Sequence, residues 1–204
     1  RPYKIMPTYS PFAVLKNYSF RPTVVSDLKK AVQESTTKDI ENTEREIYIE
    51  PTYEEVVQFF KECREENSKD NPLSFDIETA SGEITCIGFA PSPKRSMVVP
   101  FRDITKKSQA FYDYTTEITI WKEIADLLQD EKITKVAQNQ TYDVSWLSYK
   151  YGIDVAGTVH DTMHAQHSLQ PEMEKGLGFL GSIYTNEGAW KNLTSFSKST
   201  KAEE

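Results

Sequence analysis

From Ile47 onward the hydrophobic positions alternate between two patterns: short apolar runs, and stretches in which apolar residues recur every three or four positions. Residues 73–78, 84–89 and 97–101 have the length and composition of strands, and 133–137 adds a fourth. Helical spacing is carried first by Val56, Val57, Phe59, Phe60 and Cys63. Thr52 stands ready to cap that helix, and Glu55 three residues later completes a capping-box pattern. Ile120, Trp121, Ile124, Leu127 and Leu128 predict a second helix over 118–128. Further helices are expected over 141–151, 162–169 and 177–184. Three strands joined by hairpin-length turns, then helix, strand and helix, predict an α/β fold with a mixed sheet flanked by helices.

Ahead of this lies a different zone. Residues 1–33 open with an apolar–turn–apolar pattern around Ile5 to Pro11, followed by Phe12 to Lys16 and a helix expected near Asp27 to Val32. Residues 34–46 are polar, charged and aperiodic, which is linker composition. The expected organisation is therefore 1–33, a 34–46 linker, a main domain over 47–190 and a polar tail over 191–204.

Composition narrows the function classes. The 204 residues suffice for one full domain with a real core. No run approaches the ~18 apolar residues of a membrane span. Two cysteines, Cys63 and Cys86, form no metal-type pair, and a disulfide scaffold is not expected, which favours a cytoplasmic setting. A net charge of −7 argues against tight binding of DNA through a broad basic surface, but not against meeting phosphate through bound cations. The chain starts at Arg1 rather than Met, as an excised piece would.

The candidate chemistry sits on Phe75-Asp76-Ile77-Glu78-Thr79. Strand alternation sends Phe75 and Ile77 to one face and Asp76 and Glu78 to the other. Two carboxylates on a mostly apolar strand are costly to bury unless cations neutralise them. Hard ions such as Mg²⁺ or Mn²⁺ take such oxygen ligands, and one strand can serve two ions about 4 Å apart. Asp-x-Glu alone is weak, since a chain of this size holds roughly one by chance. A second acidic position, Asp143, follows Asn139-Gln140-Thr141-Tyr142 where the 133–137 strand gives way to a helix. Asn139 can cap that helix, with Asp143 in its first turn near the positive end of the dipole. Asp161 precedes another helix and is best read as its N-cap.

These three segments, in this order, resemble the exonuclease domain of family A (polymerase I-like) DNA polymerases, of the DEDD superfamily with its ribonuclease H-like fold. Phe75 to Thr79 matches the first exonuclease motif and Asn139 to Asp143 the second, with Asp161-Thr162-Met163 and Lys175 to Leu180 resembling later structural segments. The resemblance covers about 47–190. It implies that Asp76 bridges two metal ions, that Glu78 ligates one and helps place the attacking water, and that Asp143 holds the other. Thr79, Asn139 and Tyr142 fall at substrate-binding positions. The implied reaction is 3′-5′ hydrolysis of terminal phosphodiesters at a single-stranded or frayed DNA end, with a polymerase domain as partner in the full-length chain. The family's third motif, Tyr or His followed four residues later by Asp, has no match after Asp143: Tyr149 meets Ile153, Tyr151 meets Val155, His164 meets Ser168 and Tyr184 meets Gly188. The fold is therefore expected to be incomplete at its C-terminus and the activity impaired. Two alternatives remain open, a non-catalytic exonuclease-like scaffold and a ribonuclease of the same superfamily.

A second resemblance lies in Met6 to Leu15, which is similar to the C-terminal motif of iron–sulfur-type uracil-DNA glycosylases, with Ser10 in place of that family's His. It implies an inactive remnant over 1–33. Gly176 to Gly181 fits G-x-G-x-x-G, but no strand precedes it, which argues against dinucleotide binding. Of His160, His164 and His167, only the last two can share a helix face, too few for zinc.

Overall fold

The computed structural model describes residues 3–39, 43–103 and 109–187. The tail over 191–204 and part of the 34–46 linker lie outside the described residues. Contacts divide the chain into two units. Among the described residues, one unit lies within Thr43–His164 and the other joins the N-terminal segment to residues 165–187.

The larger unit is built on a six-stranded sheet. Its strands are β1 (Glu46–Ile49), β2 (Leu73–Ala80), β3 (Glu83–Ser92), β4 (Arg95–Pro100), β7 (Lys135–Ala137) and β8 (Val159–Asp161), in the order β1-β4-β3-β2-β7-β8. A two-stranded ribbon of β5 (Arg102–Asp103) and β6 (Gln109–Ala110) stands apart from it. β2, β3 and β4 form an antiparallel meander, while β7 and β8 add parallel to β2 on its other side. The β2–β3 reversal needs only Ser81 and Gly82, both at positive φ, the conformation demanded by a two-residue hairpin turn. This is the mixed α/β sheet with flanking helices that the sequence predicts.

The helices of this unit are α3 (Tyr53–Glu66), α4 (Tyr114–Leu128) and α5 (Gln140–Tyr151). α3 starts on the expected capping box: Glu55 N donates to Thr52 Oγ1 at 3.3 Å, and Thr52 N donates to Glu55 Oε2 at 2.7 Å. α4 begins four residues earlier than its apolar spacing indicates, because Asp113 caps a polar first turn by accepting from Thr115 N and Thr116 N. Phe59, Phe60 and Cys63 of α3 and Ile120, Ile124 and Leu127 of α4 bury against Phe75, Ile77, Ile87, Phe89 and Val99 of the meander. Lys135 is fully buried in β7, its ammonium donating to the carbonyls of Asp130, Ile133 and Ala156 at 2.7, 3.1 and 2.7 Å. Gly157, at φ 78°, is required by its surroundings, since a Cβ there would lie 2.6 Å from the Glu131 carbonyl oxygen.

In the smaller unit, α1 (Pro11–Lys16), a 3₁₀ turn (Tyr18–Phe20) and α2 (Arg21–Glu34) follow one another, and α7 (Leu177–Tyr184) packs on α2. α6 (Thr162–Leu169) begins in the larger unit. α2 is more than twice the length expected, its first turn set by Pro22. Lys4 ties the opening segment to the end of α2 through Glu34 and Thr37, and Lys30 donates to the carbonyls of Ser182 and Thr185.

Candidate active site

The burial of β2 alternates as its sequence demands. Leu73, Phe75 and Ile77 are buried, while Asp76 and Glu78 are exposed together on the other face. Opposite them on β3 stand Gly88 and Cys86, and a bulge interrupts the pairing between Glu78 and Thr79. The half-buried Cys86 thiol is pushed up by its own burial, then by the charges of Glu78 and Asp76, so the two acids share one electrostatic neighbourhood.

β7 brings the second acidic position to this strand. It pairs with β2 only at Leu73 and Ser74, ends at Ala137, and the chain turns at Asn139 into α5. Asn139 adopts the left-handed conformation, φ 58° and ψ 48°, and its side chain makes no cap bond. The capping expected of Asn139 is corrected on this point. The amides of Asn139 and Gln140 are instead taken by Asp161 from the end of β8, at 3.1 and 2.9 Å. The same carboxylate accepts from Met163 N and His164 N at 2.8 and 3.3 Å, so it caps α6 as expected and α5 as well. Burial alone would raise the Asp161 carboxyl, but the four amides outweigh it and hold it below the usual range. This second task of Asp161 is invisible in the sequence, because the two segments it joins meet only through the β7–β8 pairing.

With α5 anchored in this way, Asp143 in its first turn reaches β2. Its Oδ1 accepts the Ile77 amide at 3.0 Å, between the two acids of that strand. Asp143 is only 3% exposed, and burial is the main cause that lifts its carboxyl from 3.8 to about 6. The charges of Asp76 and Asp161 push the same way, and the Ile77 amide opposes them. One residue earlier, the Tyr142 hydroxyl lies 2.6 Å from Thr79 Oγ1, and the Tyr142 ring is tilted against Trp146 at 6.2 Å. Thr79 and Tyr142 are thus joined directly, while Asn139 contributes an exposed turn.

Asp76, Glu78 and Asp143 are three carboxylates from two elements, oxygen donors of the kind a hard cation takes, and one of them is buried where its negative charge is disfavoured. Among the described residues, however, no group of three or more His, Cys, Asp or Glu side chains is assembled as ligands. Asp143 is brought beside β2, but its Oδ1 is directed to backbone rather than into a common cluster with Asp76 and Glu78.

A family model described as 3′-5′ exonuclease matches residues 47–201, which include every residue of this arrangement. The chain belongs to the 3′-5′ exonuclease family. No curated protein sequence matches it. Among solved structures, the catalytic core of RRP6 from Trypanosoma brucei is 16% identical, with a TM-score of 0.52 over 71% of this chain and 36% of its own. Trypanosoma brucei RNase D in complex with RNA U12 is 18% identical, with a TM-score of 0.50 over 74% of this chain and 52% of its own. NrnC from Brucella melitensis with bound Mg²⁺ is 15% identical, with a TM-score of 0.44 over 72% and 65%. For the first two the likeness is one of fold, the ribonuclease H-like sheet of exonucleases, and this chain spans about a third and a half of those proteins. No helix among the described residues of this exonuclease-family chain is long and apolar enough to cross a membrane.

Proposed function

We propose that the chain is a metal-dependent 3′-5′ exonuclease domain that removes terminal nucleotides from a single-stranded or frayed DNA end. The observation that carries this reading is the buried Asp143 carboxylate, held on the Ile77 amide beside Asp76 and Glu78 in a chain of the exonuclease family. Asp76, Glu78 and Asp143 would hold Mg²⁺ or Mn²⁺. When bound, such ions supply electrostatic stabilisation of the charge that builds on the scissile phosphate. Hydrolysis joins a water oxygen to phosphorus, breaks its bond to the 3′ oxygen of the penultimate nucleotide and releases a nucleoside 5′-monophosphate. Glu78, exposed on the acidic face, helps orient that water, while the linked hydroxyls of Thr79 and Tyr142 hold the terminal nucleotide. The order of the two acidic motifs supports a proofreading role beside a polymerase I-like domain, the two cysteines support a cytoplasmic setting, and activity is reduced because these 204 residues hold no match to the third motif. The glycosylase-like origin of residues 1–33 rests on Met6 to Leu15 alone.

The test is release of mononucleotides from 5′-labelled DNA and RNA oligonucleotides in Mg²⁺, with EDTA as control. Slow, EDTA-sensitive shortening from the 3′ end is expected, with DNA preferred. Asp76→Ala should lower the rate at least ~10²-fold, the scale of losing one electrostatic stabiliser. Equal rates for wild type and Asp76→Ala would refute the assignment, and faster cleavage of RNA would move the substrate to the ribonuclease reading. A second reading, a non-catalytic scaffold, is favoured by the lack of an assembled three-ligand group among the described residues. It predicts no cleavage of either polymer in Mg²⁺ or Mn²⁺.

A further inference from the structure

The charge of the chain is unevenly distributed. Residues 1–39 hold seven Lys or Arg against three Asp or Glu, whereas the whole chain holds 24 against 31. Such an asymmetry marks a segment suited to a polyanion. Two of these cations are consumed locally, Lys4 by Glu34 and Thr37 and Lys30 by the Ser182 and Thr185 carbonyls. Lys16, Arg21, Lys29 and Lys38 are exposed instead, and no carboxylate pairs with them among the described residues.

The exposed cations sit beside exposed aromatic rings. The Lys16 ammonium lies 4.7 Å from the centre of the Phe12 ring, and the Arg21 guanidinium lies 5.8 Å from that of Tyr18. Phe12 is 64% exposed and Tyr18 72%. Both pairs occupy consecutive elements that pack on one another, α1 with the 3₁₀ turn and the 3₁₀ turn with α2. The parallel stack of Tyr9 on Phe20, at 4.2 Å, holds the opening segment against that turn. Flat rings left in solvent with a cation at each are what bases and their phosphates need from a single-strand platform, where bases stack on the rings whatever their sequence. A duplex hides its base faces and gains nothing from the rings.

We propose that residues 11–29 form a binding surface for single-stranded nucleic acid, with Phe12 and Tyr18 stacking bases and Lys16, Arg21 and Lys29 meeting phosphates. This surface lies outside the residues assigned to hydrolysis and binds without cleaving. It is independent of the exonuclease reading, because Asp76, Glu78 and Asp143 take no part in it.

The experiment measures fluorescence anisotropy of a labelled oligothymidylate of about 20 nucleotides against the full chain in EDTA, where binding is read without hydrolysis. The single strand should bind at least ~10-fold more tightly than a duplex of equal length. Phe12→Ala with Tyr18→Ala should weaken it at least ~10-fold. Lys16→Glu with Arg21→Glu should make the salt dependence shallower by about 1.4 in log–log slope, at about 0.7 for each phosphate contact. Tyr114→Ala, which removes a still more exposed ring from α4, should change nothing. If the alanine pair loses helical circular dichroism, the leucine pair at the same positions decides, since it keeps apolar volume and removes the flat faces. Ring variants that bind within twofold of wild type, or equal affinity for duplex, would overturn the proposal. So would a dimer that Leu28→Ser abolishes, which would give this face to protein. Binding is read in EDTA and cleavage in Mg²⁺, so a failure here and a failure of the exonuclease reading give different results.

Discussion

Removing the Asp161 carboxylate should destabilise the larger unit more than any single exposed acid can. The side chain is 7% exposed and accepts four amides, two at the start of α5 and two at the start of α6. Loss of one N-cap costs about 0.5–2 kcal/mol, and hydrogen bonds to a charged acceptor lie toward the upper end. With two helix starts served by one group, Asp161→Ala should cost about 2–4 kcal/mol, which for a chain of this size lowers the melting temperature by roughly 5–15 °C. Asp161→Asn keeps a single acceptor oxygen and should fall between. The carboxyl is held below its ordinary 3.8 in the folded chain, so the unfolded chain binds the proton more readily. The stabilisation is therefore fully present above the unfolded value and is lost as pH falls through the lower folded value. Urea unfolding followed by circular dichroism, at neutral pH and at steps below about pH 4, measures both effects. The gap between wild type and Asp161→Asn should narrow as the solution is acidified. An alanine variant within ~0.5 kcal/mol of wild type at neutral pH would refute the argument.

Gly157→Ala should destabilise by at least about 2 kcal/mol, because the residue sits at φ 78° and the new Cβ would meet the Glu131 carbonyl at 2.6 Å. Thermal unfolding checks this, and Gly152→Ala, which meets nothing nearby, should cost less. Tyr142→Phe removes one partner of an exposed hydroxyl pair, so stability should change by less than about 1 kcal/mol while the nuclease rate falls about 10-fold. A rate equal to wild type would take Tyr142 out of the site.

The meander and the two long core helices are legible in the sequence because their apolar positions repeat over enough residues to identify the period. The two faces of β2 follow from Phe75-Asp76-Ile77-Glu78 alone, and the capping box of α3 from Thr52 and Glu55. What escapes is short or depends on distant partners. β8 has three residues, too few for alternation to declare itself, and the β5–β6 ribbon has two on each side. The strand at 133–137 is predicted, but not the burial of Lys135 within it, which holds because three carbonyls surround its ammonium. Those carbonyls come from loops on both sides of β7, and no local pattern announces them. The site divides the same way. The acids of β2 are marked by their strand, whereas the bond from Ile77 to Asp143 and the bracing of α5 by Asp161 arise from pairing across 66 and 21 to 22 residues.

The early end of β7 has a consequence for how this fold can vary. Continued in its parallel register, the strand would bring Asn139 level with Ile77, and the Ile77 amide would become one more rung of the ladder. That amide is the donor that now holds Asp143. Sheet extension and the acidic site therefore compete for a single N–H group, and the left-handed turn at Asn139 decides the contest by steering the chain out of the sheet. A change at this corner that lets the strand run on by two residues would produce a more regular sheet and evict the carboxylate. In this fold the regularity of the sheet and the presence of the site are alternatives.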